Sequence, residues 1–142
     1  MKMAEETGLK MLPSEAMLQD RGAARTRLLE VWEVERHTIG FGWGTCNWPT
    51  DFDLQWRWVG PDGKKHPQIN ETLTKDKAAK CKEPPCQLGG LYQAVGAWTE
   101  EINSATDAEG WVYGLAWSQP EWSTKPGLAA ALRKRKWTRP FS

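Results

Sequence analysis

Polar and apolar side chains alternate near the start of the chain, in the stretch LLEVWEVER, residues 28–36. Successive side chains of an extended chain point to opposite sides, so Val31, Glu33 and Glu35 share one face of this segment. The alternation predicts a long β-strand with two different faces. The preceding residues 1–27 show little pattern, and we expect them to form a weakly structured tail or a short helix.

The end of the chain alternates in the same way, in the stretch RKRKWTR, residues 133–139. If this segment is also extended, Lys134 and Lys136 share one face, which we expect to contact solvent. The other face then carries three arginines and one tryptophan: Arg133, Arg135, Trp137 and Arg139. The pattern predicts a second long strand at this end of the chain.

Between these segments the sequence predicts shorter strands joined by turns. Residues 54–65, LQWRWVGPDGKK, form a short strand that ends in a Gly-Pro-Asp-Gly turn. Residues 107–117, DAEGWVYGLAW, begin as a turn and continue as a strand. The glycine-rich and aromatic-rich residues 37–53 are typical of a loop. The polar, lysine-rich residues at about 64–88 predict a solvated insertion.

Charge is balanced over the whole chain but not along it. With 19 basic and 18 acidic residues the net charge is +1, so no global field attracts nucleic acid or an anionic membrane. Residues 99–121 hold five acids and no base, whereas residues 122–142 hold six bases and no acid. Segments of opposite sign are suited to pair as neighbouring strands, which gives the basic end a structural role.

Tryptophan is the most unusual feature of the composition, with 10 residues against 3 Phe and 2 Tyr. A guanidinium group stacks flat on an indole, so each arginine of the last strand can lie against a tryptophan of a neighbouring strand. The candidates for this stack are Trp32, Trp98, Trp111 and Trp117. Two other functions of the basic run are weaker: phosphate contacts to a nucleic acid, and a nuclear localisation signal, which needs a flexible segment.

Three segments together resemble a known family. LEVWEVER, DAEGWVYG and RKRKWTR resemble, in this order, the signatures of the dysferlin (DysF) domain of ferlins and peroxins, which also occurs as small stand-alone proteins. The resemblance implies a mainly β, DysF-like domain over residues 28–142, with the polar insertion inside it. It also implies that two long antiparallel strands, one from each half, hold arginines between tryptophans. Lys134 and Lys136 stand where the family usually has further arginines.

The resemblance also implies a function. DysF domains suggest a non-enzymatic module, peripheral to an intracellular membrane such as the peroxisome, endoplasmic reticulum or endolysosome. Work in membrane remodelling or repair, or in peroxisome and endomembrane organisation, through a lipid head group or a membrane protein, is the leading expectation. The alternatives are a cytosolic protein–protein interaction adaptor without lipid binding, and a tryptophan-lined carbohydrate-binding module. The oligomeric state stays open.

The candidate binding surface is the aromatic loop. Indole rings favour a membrane–water interface because the ring is apolar and its N–H still needs a partner. The residues assigned to lipid or partner binding are Phe41, Trp43, Trp48 and Phe52. The alternative is that these rings fold back onto a small core.

Catalysis, cofactors and metal binding find little support in the sequence. It has no Gly-x-Ser-x-Gly, no His-Glu-x-x-His and no phosphate-binding glycine loop, so we expect neither an enzyme nor a cofactor. A metal site could use only a loosely spaced set of side chains: Cys46, Cys81 and Cys86 with His37 or His66. We expect the three cysteines to be free thiols instead. Without an apolar leader or an apolar run of about 20 residues, a cytoplasmic protein is expected.

Overall fold

The computed structural model describes residues 26–46, 55–127 and 130–142. As the sequence predicted, this part of the protein is mainly β, with one antiparallel, curled sheet. Of residues 1–27, predicted to form a weakly structured tail or a short helix, residues 1–25 lie outside the described residues, and Arg27 begins the first strand instead. The elements in chain order are β1 Arg27–Thr38, β2 Gly42–Gly44, β3 Trp58–Val59, α1 Lys75–Ala79, β4 Thr99–Glu100, β5 Val112–Gly114 and β6 Leu132–Phe141.

The two long strands come from opposite ends of the chain and lie side by side. The strand order is β2-β1-β6-β4, with β3 paired to β1 and β5 paired to β6. A backbone hydrogen bond from the His37 amide to the Ala131 carbonyl, at 2.9 Å, joins the β1 side to the start of β6. The prediction of long antiparallel strands that pair the two halves of the chain is therefore confirmed.

The chain divides into two compact units. The larger unit comprises residues 30–87 and 98–138, and it contains the inner parts of β1 and β6. Among its described residues the smaller unit comprises 26–29, 88–97 and 139–142. In the smaller unit, Ala94 and Phe141 form an antiparallel bridge, and the Phe141 ring is buried.

The two turns that the sequence predicted are present. The Gly63 amide donates to the Gly60 carbonyl at 2.9 Å, which closes the Gly-Pro-Asp-Gly turn before residue 64. In the second turn the Gly110 amide donates to the Asp107 carbonyl at 3.1 Å. Gly110 has φ +92°, and a Cβ there would lie 2.9 Å from the Glu101 carbonyl oxygen, so the backbone approach requires glycine.

The Asp107 side chain organises this second turn. Its carboxylate accepts hydrogen bonds from the Trp111 amide at 2.8 Å, the Glu109 amide at 2.9 Å and the Tyr113 hydroxyl at 2.7 Å. Partial burial of the carboxyl raises its pKa, but these hydrogen bonds and the charge of Arg133 outweigh that effect, and the pKa of Asp107 lies below its ordinary value. The motif DAEGWVYG thus folds as a carboxylate-capped turn leading into β5.

The interpretation of residues 64–88 as a solvated insertion was wrong for part of the segment. Its apolar side chains at Ile69, Ala78 and Cys86 are buried, and α1 lies within it. The indole N–H of Trp58, a fully buried residue of β3, donates to the Ala78 carbonyl at 2.8 Å. A hydrogen bond to a buried carbonyl satisfies a group that would otherwise be costly to desolvate, so this segment closes one side of the core.

His66 makes the same segment sensitive to acid. The ring is buried, its Nδ1 accepts from the Gln68 amide at 3.1 Å, and its Nε2 lies 2.9 Å from the Glu30 carbonyl, to which it donates. An Nδ1 that accepts a hydrogen bond carries no proton, so the folded protein holds His66 neutral. Burial lowers its pKa below the ordinary 6.5.

We therefore expect acid to destabilise the fold through His66. Since the folded state binds this proton less readily than the unfolded state, the stabilisation is complete above pH 6.5 and is lost as the pH falls below that value. Denaturant midpoints of the wild type should drop as the pH falls below 6.5. His66→Gln should reduce the dependence of the midpoint on pH. His37→Gln, which changes an exposed histidine, should leave this slope of midpoint against pH unchanged. An unchanged slope in His66→Gln would contradict the assignment.

Candidate functional site

The alternation of β6 places two different sets of contacts on its two faces within the larger unit. On one face, arginines meet carboxylates of β1 and indole rings. On the other face, lysines meet a separate set of tryptophans. We call the first set the arginine ladder, which consists of Arg133 and Arg135 with the rings of Trp43, Trp111 and Trp137 and the carboxylates of Glu33 and Glu35.

Glu33 is the centre of the arginine ladder. Its side chain is fully buried and accepts from Arg135 Nε at 2.8 Å and from Trp137 Nε1 at 2.9 Å. Arg57, which precedes β3, donates to the other carboxylate oxygen through Nε at 3.0 Å and through Nη2. A buried carboxylate is tolerated only when cations and hydrogen bonds compensate for lost hydration, and Glu33 has both.

The guanidinium groups also stack on indole rings. Arg133 lies 4.0 Å from the Trp111 ring centroid and 4.8 Å from that of Trp43, while Arg135 lies 4.4 Å from Trp111 and 5.0 Å from Trp137. Arg133 also donates to Glu35 through Nε at 2.9 Å and Nη2 at 2.6 Å. Each guanidinium thus lies over indole rings and is held in register by a carboxylate.

The lysine face differs from the sequence prediction. Lys134 does not face open solvent, because its Nζ lies 4.2 Å from the ring centroid of Trp122 and 4.7 Å from those of Trp32 and Trp117. We call these three rings the indole cage. Burial, reinforced by the nearby charge of Lys136, lowers the pKa of Lys134. Lys136, in contrast, forms an ion pair, since its Nζ lies 3.4 Å from a Glu101 carboxylate oxygen.

Two of the tryptophans assigned to the arginine stack lie elsewhere. Trp32 and Trp117 belong to the indole cage and contact lysine, so their assignment to the arginines was wrong. Trp98 is buried just before β4. Arg139 lies in the smaller unit, where its Nε donates to the Gly96 carbonyl at 2.7 Å and its guanidinium lies 5.8 Å from the Phe141 ring.

The aromatic loop is divided by the structure. Phe41 lies at the tip of the β1–β2 hairpin and is 87% exposed, beside Ile39, which is 91% exposed. Trp43, in contrast, packs back: its ring centroid lies 5.2 Å from His37 and 5.7 Å from Tyr113. As a member of the arginine ladder it cannot also be a free insertion residue, which corrects that assignment. Trp48 and Phe52 lie outside the described residues.

Sequence reasoning missed Ile39 as a companion of Phe41 and missed the roles of Glu33, Arg57 and Trp122. For Glu33 a signal exists in the alternation, which places a carboxylate on the same face of β1 as Val31. For Ile39 the signal is its position beside Gly40, at the start of a glycine-rich stretch. Arg57 and Trp122 depend on distant pairings, and we find no local signal for them.

Within the described residues the three cysteines form no disulfide bond. Cys46 and Cys86 are buried and Cys81 is partly buried. Burial, with a smaller contribution from Cys81, raises the pKa of the Cys86 thiol to about 12, so this thiol is protonated and unreactive near neutral pH. Within residues 26–46, 55–127 and 130–142, we find no cluster of three or more His, Cys, Asp or Glu side chains suited to a metal ion.

Helices in the described part of the chain are too short or too polar to cross a lipid bilayer. Comparison of the sequence with protein-family models finds no match. Comparison with curated proteins likewise finds no relative.

Proposed function

We propose that this protein is a non-enzymatic module of the DysF type that binds the surface of an intracellular membrane through the tip of its β1–β2 hairpin. The observation that carries the proposal is the pair of large apolar side chains at that tip, Ile39 and Phe41, which are almost completely exposed. Two neighbouring apolar side chains with this exposure lose contact with water only when the tip enters an apolar environment.

The tip is held in place by the structure behind it. The Phe41 amide donates to the Thr38 carbonyl at 2.9 Å, and His37 pairs with Trp43 in the register of β1 and β2. Trp43 is in turn fixed against Arg133 of the arginine ladder. A tip that is already ordered has less conformational entropy to lose on binding, which supports a docking role for these two side chains.

The DysF assignment is supported by the three ordered sequence motifs and by where they lie. LEVWEVER forms most of β1, DAEGWVYG forms the capped turn and β5, and RKRKWTR forms most of β6. The arginines and carboxylates of the ladder bind one another, which supports a structural role for them and a non-enzymatic module. In this proposal the module takes part in membrane remodelling or repair, or in peroxisome and endomembrane organisation.

Liposome flotation tests the membrane proposal. The double variant Ile39→Ser, Phe41→Ser should lower the partition coefficient at least about 100-fold, because each apolar side chain contributes about 1.5–3 kcal/mol when it leaves water. Circular dichroism and the denaturant midpoint should stay those of the wild type, because neither side chain is packed. Binding should depend only mildly on salt, since apolar insertion is not screened.

Leu91→Ser is the matched control, because Leu91 is 89% exposed but is not part of the β1–β2 hairpin. This control should float as the wild type does. If wild-type protein does not float at all, the protein–protein adaptor becomes the better function, and Ile39 and Phe41 become candidates for its protein-binding surface. If the tip variant floats as well as the wild type, the hairpin tip is not the membrane site.

A further inference from the structure

The indole cage encloses a cation with aromatic walls on three sides. The ring planes of Trp32 and Trp117 meet at 87°, and those of Trp117 and Trp122 at 73°, so the rings form adjacent walls of a box. The Lys134 ammonium lies inside, 4.2–4.7 Å from each ring centroid. At this distance from the ring faces, a cation is attracted by the quadrupole of each indole.

The cage walls are fixed before any ligand arrives. The Trp117 indole N–H donates to the Pro61 carbonyl at 3.0 Å, and the Trp122 indole N–H donates to the Gln119 carbonyl at 3.2 Å. Gly63 lets the Trp117 ring approach the preceding turn closely, since a Cβ there would lie 2.9 Å from the ring. These contacts make a rigid site rather than a chance contact of side chains.

The present occupant is poorly matched to this site. In the described structure no carboxylate or carbonyl contacts the Lys134 ammonium, although Lys136 on the same face of the strand reaches Glu101. An ammonium group carries three N–H donors and is strongly hydrated, so a site made only of ring faces leaves its hydrogen bonds to the remaining water.

A cation without N–H donors fits these walls better. We propose that the indole cage is a binding site for a quaternary ammonium group, and that the Lys134 side chain occupies it as an internal competitor. Methyl groups on nitrogen contact the three rings directly, retain the positive charge and require no hydrogen-bond acceptor. The site lies on the lysine face, so the proposal stands independently of the hairpin tip.

Nuclear magnetic resonance of the indole N–H groups tests the site in the intact protein. Tetramethylammonium chloride should shift the Trp32, Trp117 and Trp122 signals saturably, whereas equal sodium chloride or the neutral isostere tert-butyl alcohol should not. Lys134→Ala should bind tetramethylammonium about 10-fold more tightly, because the competitor is removed. Lys134→Thr, whose short side chain also leaves the cage empty and suits a strand, provides the same test if the alanine variant does not fold.

Lys65→Ala is the matched control, because Lys65 stacks at 4.8 Å on Trp56, a ring outside the cage. Its affinity for tetramethylammonium should equal that of the wild type. The proposal is overturned if the wild-type cage signals respond no more to tetramethylammonium than to sodium chloride, or if neither Lys134 variant binds more tightly.

A quaternary ammonium can come from a lipid head group or from a soluble molecule, and vesicles separate these sources. If the group is lipid-borne, Lys134→Ala should increase flotation with choline-lipid vesicles but not with glycerol-headgroup vesicles. A soluble source predicts tighter binding of choline chloride by Lys134→Ala with unchanged flotation on both vesicles. The double tip variant serves as the background in these vesicle experiments, so that insertion of the hairpin does not obscure the head-group contribution.

Discussion

Glu33→Ala is expected to lower the free energy of unfolding by about 3–5 kcal/mol, because it removes the buried acceptor shared by two partly buried arginines. Arg57 and Arg135 then face each other without the carboxylate, and the Trp137 indole N–H loses its partner. Equilibrium denaturation followed by tryptophan fluorescence measures the loss. Glu33→Gln should recover part of it, since the amide oxygen still accepts hydrogen bonds without carrying the charge.

Glu100→Ala is the control for this prediction. A Glu100 carboxylate oxygen lies 3.5 Å from Arg135 Nη1, but the Glu100 side chain is 35% exposed. We therefore expect the free energy of unfolding to change by at most about 0.5–1 kcal/mol. If the Glu33 and Glu100 variants unfold at the same denaturant concentration, the buried carboxylate is not the centre of the ladder.

Arg135→Ala is expected to lower the free energy of unfolding by about 2–4 kcal/mol, because stacking on Trp111 and the ion pair with Glu33 are lost together. Arg135→Lys should restore only part of this, since an ammonium group cannot stack flat between two rings. Lys134→Ala should be milder, at about 0.5–2 kcal/mol, because the indole cage loses its cation but no buried charge is left without a partner.

Denaturant midpoints for the three variants in one buffer check this order. Equal losses for Arg135→Ala and Lys134→Ala would mean that the two faces of β6 contribute alike, against the contacts described above. The sequence alone placed Lys134 on a face in contact with solvent, where replacement by alanine would change stability little, and the structure changes that expectation because the side chain lies among three rings.

The parts of the fold that were predictable from sequence are those set by local periodicity. Alternation with a period of two assigns each side chain of β1 and β6 to a face, so Arg133 and Arg135 could be placed together before the structure was known. Turn chemistry at residues 60–63 and 107–110 is equally local, because glycine and aspartate determine the backbone there. These features needed no knowledge of the partner strand.

The partners themselves depend on register between distant segments. Val112 of β5 pairs with Lys134 of β6, and Trp32 of β1 pairs with Val59 of β3. These pairings bring the loop after β5 and the Trp32 side chain together on the lysine face. No local pattern fixes these pairings, and the tryptophans were therefore assigned to the wrong cations. The buried part of residues 64–88 was missed for a related reason, since its anchor is the backbone carbonyl of Ala78, which hydropathy does not register.

Fluorine NMR on protein labelled with fluorophenylalanine tests the membrane proposal most directly, because the chain has only 3 phenylalanines. Phe141 is buried and serves as an internal reference, Phe41 reports on the hairpin tip, and Phe→Leu variants assign the signals. In bicelles that carry a nitroxide on the lipid acyl chain, we expect strong broadening of the Phe41 signal and little change at Phe141. A Phe41 signal that stays as sharp as the Phe141 signal would contradict insertion of the tip.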